Sequence, residues 1–224
     1  MLAVLCGIFD RSGDSVLALA RLWSRILLGV PGVKVEVTMR ARLEPGRPYV
    51  FVANHASMVD IWAVFVTIPA SFRFIAKKQL ARIPLFGWAM TAGRFIFIDR
   101  QNPLAARRSI DEAARRIRSG QSVVIFPEGT RTRTGRLLPF KKGGFHLAID
   151  SGAAIVPVAI RGSHAAMPRG SALIRAGTVA VEVDEPIPTT GMTTADRDAL
   201  IEKVRGRIAA MLGEPIEAPD AAAR

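Results

Sequence analysis

Three short apolar runs constrain this chain most. They are residues 49–53 (YVFVA), 94–98 (RFIFI) and 122–126 (SVVIF). Hydrophobicity that continues rather than alternates marks a strand covered on both faces, as in a largely parallel sheet. Each run ends in a polar cluster. The first leads into Asn54-His55-Ala56-Ser57-Met58-Val59-Asp60, the second into Asp99-Arg100, and the third into Pro127-Glu128-Gly129-Thr130-Arg131. Ligands of open α/β sheets sit at the carboxyl ends of strands. If the three strands are neighbours, a base, several carboxylates and two arginines share one crevice.

Helical patterns separate the runs, which predicts an α/β fold with helices on the sheet faces. Residues 58–68 read as an apolar helix stopped by Pro69, and residues 84–92 as a short helix. Asn102-Pro103 is a helix start, with Asn as cap and Pro at the first helical position. Ala106, Ile110, Ala113, Ala114 and Ile117 then share one face, and Gly120 closes the helix. The arginines of its other face read as a solvated surface with i,i+4 ion pairs. Residues 143–151 and 194–212 are further helices, and residues 33–39, 72–76, 154–160 and 179–183 further strands. Pro157 places its strand at an edge or a bulge.

With 224 residues, one α/β domain is the simplest fit. Half the residues are hydrophobic and 22% are charged, which excludes a disordered chain. Cys6 is the single cysteine, so neither a disulfide framework nor a cysteine-rich zinc site is available. His55, His146 and His164 lie far apart, without metal-ligand spacing, and the latter two read as structural. The longest stretches without charge are residues 48–59 and 61–72. Both fall short of the roughly 18 apolar residues that a spanning helix needs. The start of the chain lacks a basic segment and a cleavage site, so the expectation is a reduced, intracellular protein.

The net charge of +12 points to an anionic partner: nucleic acid, a membrane surface or a phosphorylated substrate. A basic composition bias on a solvated surface is the plainer account. Nucleic acid fits poorly, because the chain has one Tyr, no aromatic-basic interleaving and no recognised motif. Residues 15–30 form an apolar helix with Arg21 and Arg25 on one face and Trp23 beside them. Such a helix either lies in a membrane interface or docks on the domain with snorkelling arginines.

His55 and Asp60 are five residues apart, about 140° on a continuous helix, so they would not face each other there. With His55 in the loop before the helix, Ser57 as cap and Asp60 at the third helical position, the carboxylate reaches back to the imidazole. His55 is then a general base oriented by Asp60. A capping box beside an incidental histidine is the alternative. A nucleophilic Ser57 served by His55, as in a thioesterase, is another. In the third cluster, Gly129 admits a close ligand and Arg131 offers a fork for phosphate or carboxylate.

Taken together, these blocks resemble the glycerolipid acyltransferase family, and within it the 1-acylglycerol-3-phosphate acyltransferases. Asn54-His55-x4-Asp60 matches the HX4D signature, residues 93–100 resemble the second block, residues 126–131 the third, and residues 155–158 the fourth. The resemblance covers about residues 15–190. It implies acyl transfer from acyl-coenzyme A or acyl carrier protein, as co-substrate, to the hydroxyl of lysophosphatidic acid, giving phosphatidic acid. A lyso-ornithine lipid or another lysophospholipid is the alternative acceptor. His55 and Asp60 would be catalytic. Arg100, Glu128, Gly129, Thr130 and Arg131 would bind the acceptor or shape the site. No cofactor and no metal are implied. The implied fold is a single α/β acyltransferase domain over residues 33–212, a mixed sheet flanked by helices. Residues 1–32 would dock on an anionic membrane surface at its cytoplasmic face, and residues 213–224 would be a frayed tail. Many relatives carry a longer N-terminal apolar segment than this one.

Overall fold

The computed structural model describes residues 6, 10, 12–40, 42–99 and 103–214. Arg100, Asn102, nearly all of residues 1–9 and the tail from 215 lie outside that set, as do the side chains of Pro103 and Ala106. The elements in chain order are α1 (Asp14–Gly29), β1 (Val33–Met39), β2 (Val50–Ala53), α2 (Val59–Thr67), β3 (Phe72–Lys77), α3 (Phe86–Ala92), β4 (Ile96–Ile98), α4 (Pro103–Arg118), β5 (Ser122–Ile125), α5 (Gly143–Ser151), β6 (Ile155–Arg161), α6 (Ser163–Ala166), β7 (Gly177–Val183) and α7 (Arg197–Leu212). A 3-10 turn, Lys78–Arg82, joins β3 to α3.

The strands form one seven-stranded mixed sheet in the order β1-β7-β6-β2-β5-β3-β4. From β6 to β4 every pairing is parallel, so five strands bring their carboxyl ends to one edge. β7 runs antiparallel to β6, and β1 runs parallel to β7. β2 lies between β6 and β5, and its four residues are all buried. Its side chains alternate between two cores. Phe51 and Ala53 join Leu17 and Leu28 of α1 and Val59, Ala63 and Val64 of α2. Val50 and Val52 join Ala113 and Ile117 of α4, Leu147 of α5, and Val204 and Ile208 of α7. A strand covered on both faces can be apolar throughout, which is why the run at 49–53 does not alternate.

Several elements differ from the sequence expectation. The run at 94–98 is the short edge strand β4, Ile96–Ile98, with Ile96 buried and Phe97 and Ile98 half-buried. β6 is an interior strand, although it contains Pro157. The Pro157 carbonyl accepts the N–H of Asp184, so the position that lacks an N–H also faces β7. There it lies just past the last β6–β7 pair, Val158 with Val183, and the one ladder bond missing is the reciprocal bond to the Asp184 carbonyl, which proline cannot donate. The last helix begins at Arg197 rather than 194, because Asp196 accepts the N–H and hydroxyl of Thr193 in a preceding turn.

α1 packs one side against α2 and the sheet. Arg21 donates to the carbonyls of Ile68 and Ala70, just past the end of α2, and lies over the Phe72 ring. Arg73 is 1% exposed and reaches the Ser12 carbonyl and Asp14 at the start of α1. Leu22, Trp23, Ile26 and Val30 remain exposed on the other side. No helix among the described residues is long and apolar enough to cross a membrane.

Where β2 stops, the Asn54 side chain takes the place of the next peptide group in the ladder. Its amide donates to the Ile160 carbonyl at 2.9 Å, and its oxygen accepts the Ile160 N–H at 2.7 Å. Asn54→Leu strands both groups of Ile160 in the core. Urea denaturation should show a loss of about 2–4 kcal/mol, since each buried unpaired backbone group costs about 1–3 kcal/mol.

Candidate active site

The central part of the crevice edge is built by β2 and β5, which pair directly. β3 separates β4 from β5, so the Asp99 cluster lies one strand further out. His55 follows Asn54 immediately, and α2 begins at Val59 with Met58 at its cap position. That start is one residue later than the sequence spacing suggested, so Asp60 lies at the second helical position. The Ser57 hydroxyl accepts the Val59 N–H at 3.1 Å and donates to the Met167 carbonyl at 2.7 Å. It still secures the helix start, through a bond two residues ahead instead of three.

Asp60 reaches back as expected. Its Oδ2 accepts the N–H groups of Ala56 and Ser57, both at 2.7 Å, and faces His55 Nδ1 at 2.9 Å. Asp60 is fully buried, while the His55 side chain is 14% exposed. The two backbone N–H bonds keep Oδ2 an acceptor, so the proton between the partners belongs to Nδ1. In the neutral imidazole Nε2 is then the acceptor nitrogen, and it has no hydrogen-bond partner among the described residues. The imidazole stacks on Phe126 at 4.0 Å and 16°. Phe126 in turn stacks on Phe74, and Phe74 on Phe95. The ring is thus fixed in orientation by one polar bond and one apolar face.

Glu128 is 3% exposed. Its Oε1 accepts the backbone N–H of His55 at 2.6 Å, and its Oε2 accepts that of Leu138 at 3.1 Å. Burial pushes its pKa up from 4.5 to about 8, against the pull of those two N–H bonds. The loop after β5 turns on the Phe126 carbonyl, which accepts the N–H of Gly129. Gly129 adopts φ 73°, a left-handed conformation that strains other residues. Thr132 donates its N–H to the His55 carbonyl, so the two loops are joined on both sides of the histidine. Thr130 and Arg131 are half-buried at the same turn. The Arg131 carbonyl accepts a bond from Arg169, and its guanidinium has no ion pair among the described residues.

The structure therefore gathers His55, Asp60, Glu128, Gly129, Thr130 and Arg131 in one place. Arg100 lies outside the described residues. Its neighbour Asp99 pairs with Lys78. His146 contacts Arg197. Two surface hollows share Arg94 and Arg116 and do not include His55. Several participants carry no sequence signal of their own. The Leu138 N–H and the Met167 carbonyl are backbone groups, and Phe126 reads as an ordinary strand residue.

Residues 34–161, more than half of the chain, match the family described as Acyltransferase. A 1-acyl-sn-glycerol-3-phosphate acyltransferase of Cocos nucifera is 43% identical over 141 residues, which are 62% of this chain and 46% of that protein. The beta form of that enzyme from Homo sapiens is 38% identical over 172 residues, 76% of this chain and 62% of the relative. The chain thus spans about half the length of the curated relatives it matches. The crystal structure of the 1-acyl-sn-glycerophosphate acyltransferase PlsC from Thermotoga maritima superposes with a TM-score of 0.76 at 25% identity, over 97% of both chains. The mixed seven-stranded sheet, the flanking helices and the match over residues 34–161 agree: the chain belongs to the acyltransferase family.

Proposed function

We propose that this chain transfers a fatty acyl group from an acyl thioester, carried by coenzyme A or acyl carrier protein, to the free hydroxyl of lysophosphatidic acid, giving phosphatidic acid. The observation that carries this reading is the pairing of His55 Nδ1 with a buried Asp60, which turns Nε2 of the neutral ring to the acceptor hydroxyl. The names of the relatives supply the substrate class.

In this reading His55 Nε2 takes the proton of the acceptor hydroxyl as the oxygen attacks the thioester carbonyl. Asp60 stabilises the resulting imidazolium. The tetrahedral intermediate then expels the thiolate as the C–S bond breaks, and the imidazolium returns its proton to sulfur. Ser57 is not the nucleophile, because its hydroxyl donates to the Met167 carbonyl and accepts from Val59. Arg131 receives the acceptor phosphate, as a planar fork at the mouth of the crevice. Arg100 is its partner in that role through the family resemblance.

Of the two tasks the resemblance implies for it, Glu128 takes the second and shapes the site. Both its oxygens are occupied by backbone N–H groups from two loops. It is a positioning residue that fixes the His55 peptide against the loop after β5. The exposed Leu22, Trp23 and Ile26 of α1 and Val30 just past its end, together with the basic surface, dock the protein on the cytoplasmic face of an anionic membrane.

Thiol release from an acyl thioester, measured with and without lysophosphatidic acid, tests the reaction. His55→Ala should cut acceptor-dependent release by about 10²–10⁴-fold, the usual contribution of a general base, while the variant still folds, as its circular dichroism spectrum would show. Full activity in that variant would refute the proposed base. Arg131→Ala should harm phosphate-bearing acceptors most, and equal losses with phosphate-free acceptors would make it structural.

Glu128 gives a pH test. Its folded pKa is raised, so the neutral carboxyl is favoured in the native state. Its stabilising contribution is full below pH 4.5 and is lost as pH rises through about 8. Glu128→Gln does not titrate, and its amide nitrogen cannot accept an N–H. The variant should be less stable than the unsubstituted chain at low pH, with the gap narrowing towards pH 8. Urea midpoints across that interval check it, and a gap independent of pH would show that Glu128 is not held neutral.

A further inference from the structure

Residues 77–98 contain four cations, Lys77, Lys78, Arg82 and Arg94, and no carboxylate. Within this stretch Ile83-Pro84-Leu85-Phe86-Gly87-Trp88 is almost wholly apolar. A core segment of that composition would be buried. Here residues 82–86 are exposed one after another, and Ile83, Leu85, Phe86 and Trp88 are 44–57% exposed.

The backbone holds them out. The Phe86 N–H bonds to the Pro84 carbonyl at 2.7 Å around Leu85, whose φ is 61° and ψ −52°. This is the rare, strained form of the γ-turn, here with a leucine at its centre. Gly87 closes the turn from below. A Cβ there would lie 2.3 Å from the Ala81 carbonyl oxygen, so only glycine lets α3 fold back this tightly onto the 3-10 turn. Strain of this kind persists where the surroundings impose it, and it collects at functional places.

Position adds the meaning. Lys77 is the last residue of β3, which runs parallel to β5 and ends on the same edge as β2 and β5. His55 and Glu128 leave from that edge. Lys78 pairs with Asp99 just after β4, which ties the start of the turn to the rim. We infer that residues 83–88 form a second membrane contact, separate from α1, which inserts into an anionic bilayer beside the crevice. A projecting turn of Leu, Phe and Trp, within a stretch of four cations of which one, Lys78, pairs with Asp99 beyond it, suits the interfacial layer of such a bilayer. The inference rests on the lysolipid reading only for its purpose, because membrane contact is measured without any acyl transfer.

The test uses the full chain and vesicles of phosphatidylcholine with phosphatidylglycerol. Leu85→Ser with Phe86→Ser should weaken co-sedimentation at least about tenfold, given the apolar area withdrawn from lipid. The same variant should keep its circular dichroism melt and its transfer to a short-chain lysolipid dispersed as monomers. In a chain with Trp23→Phe and Trp62→Phe, brominated lipid should quench Trp88. Unchanged co-sedimentation, or an unquenched Trp88 in vesicle-bound protein, would overturn the inference. So would loss of activity on the monomeric lysolipid, which would place these residues in the substrate site. A dimer of the unsubstituted chain that the double variant disperses would assign the patch to a second copy instead. If the unsubstituted chain transfers no acyl group, the proposed reaction fails, and the vesicle measurements still decide this contact on their own.

Discussion

Asp60 Oδ2 accepts two backbone N–H groups and faces the imidazole Nδ1 at a fully buried position, and the turn between β2 and α2 takes its shape from these bonds. A buried carboxylate costs several kcal/mol unless it is hydrogen-bonded. Three donors on Oδ2 and the N-terminal end of α2 offset part of that cost, while Oδ1 is buried without a hydrogen-bond partner among the described residues. The same bonds leave the ring little freedom: its tautomer follows from the carboxylate, and its plane from Phe126. Around this pair, Glu128 and Thr132 bond the main chain of His55 from the loop after β5, while Asn54 anchors the preceding residue to β6. Three strands thus hold one histidine, and each does so through a bond that a small shift of the strand would break.

The sheet makes this convergence possible. Five parallel strands deliver their loops to one edge, and the two strands of opposite sense, β7 and β1, extend the sheet on the far side of β6. Because β2 is central, its loop can meet partners from both β5 and β6.

Most of the architecture was legible in the sequence, because burial on two faces and helical periodicity are properties of side chains. The pairing of His55 with Asp60 was legible too, since it depends on a spacing and on a helix start. The role of Glu128 was not. A carboxylate that accepts backbone N–H groups needs no particular side chain at Leu138, so no pattern marks the partner. Pro157 left β6 at an edge or a bulge; the strand is interior, and the register slips by one residue between the pairs Val158–Val183 and Ile155–Ile187 beside the proline. The helix at 15–30 was read as either interfacial or docked. Its docked side is clear from Arg21 and Arg73, whose partners lie dozens of residues away. Arg100 keeps only its expected role, since it lies outside the described residues.

The clamp on α1 has a consequence for anyone who handles this protein. An N-terminal helix with exposed Leu22, Trp23, Ile26 and Val30 invites removal to improve solubility. Yet Leu17 and Leu28 belong to the same core as Phe51 and Phe72, and the guanidinium of Arg73 finds two of its acceptors in Ser12 and Asp14. Cutting the helix away would open a greasy trench along the sheet and leave a cation at its floor. The soluble fragment so obtained would be stickier than the parent.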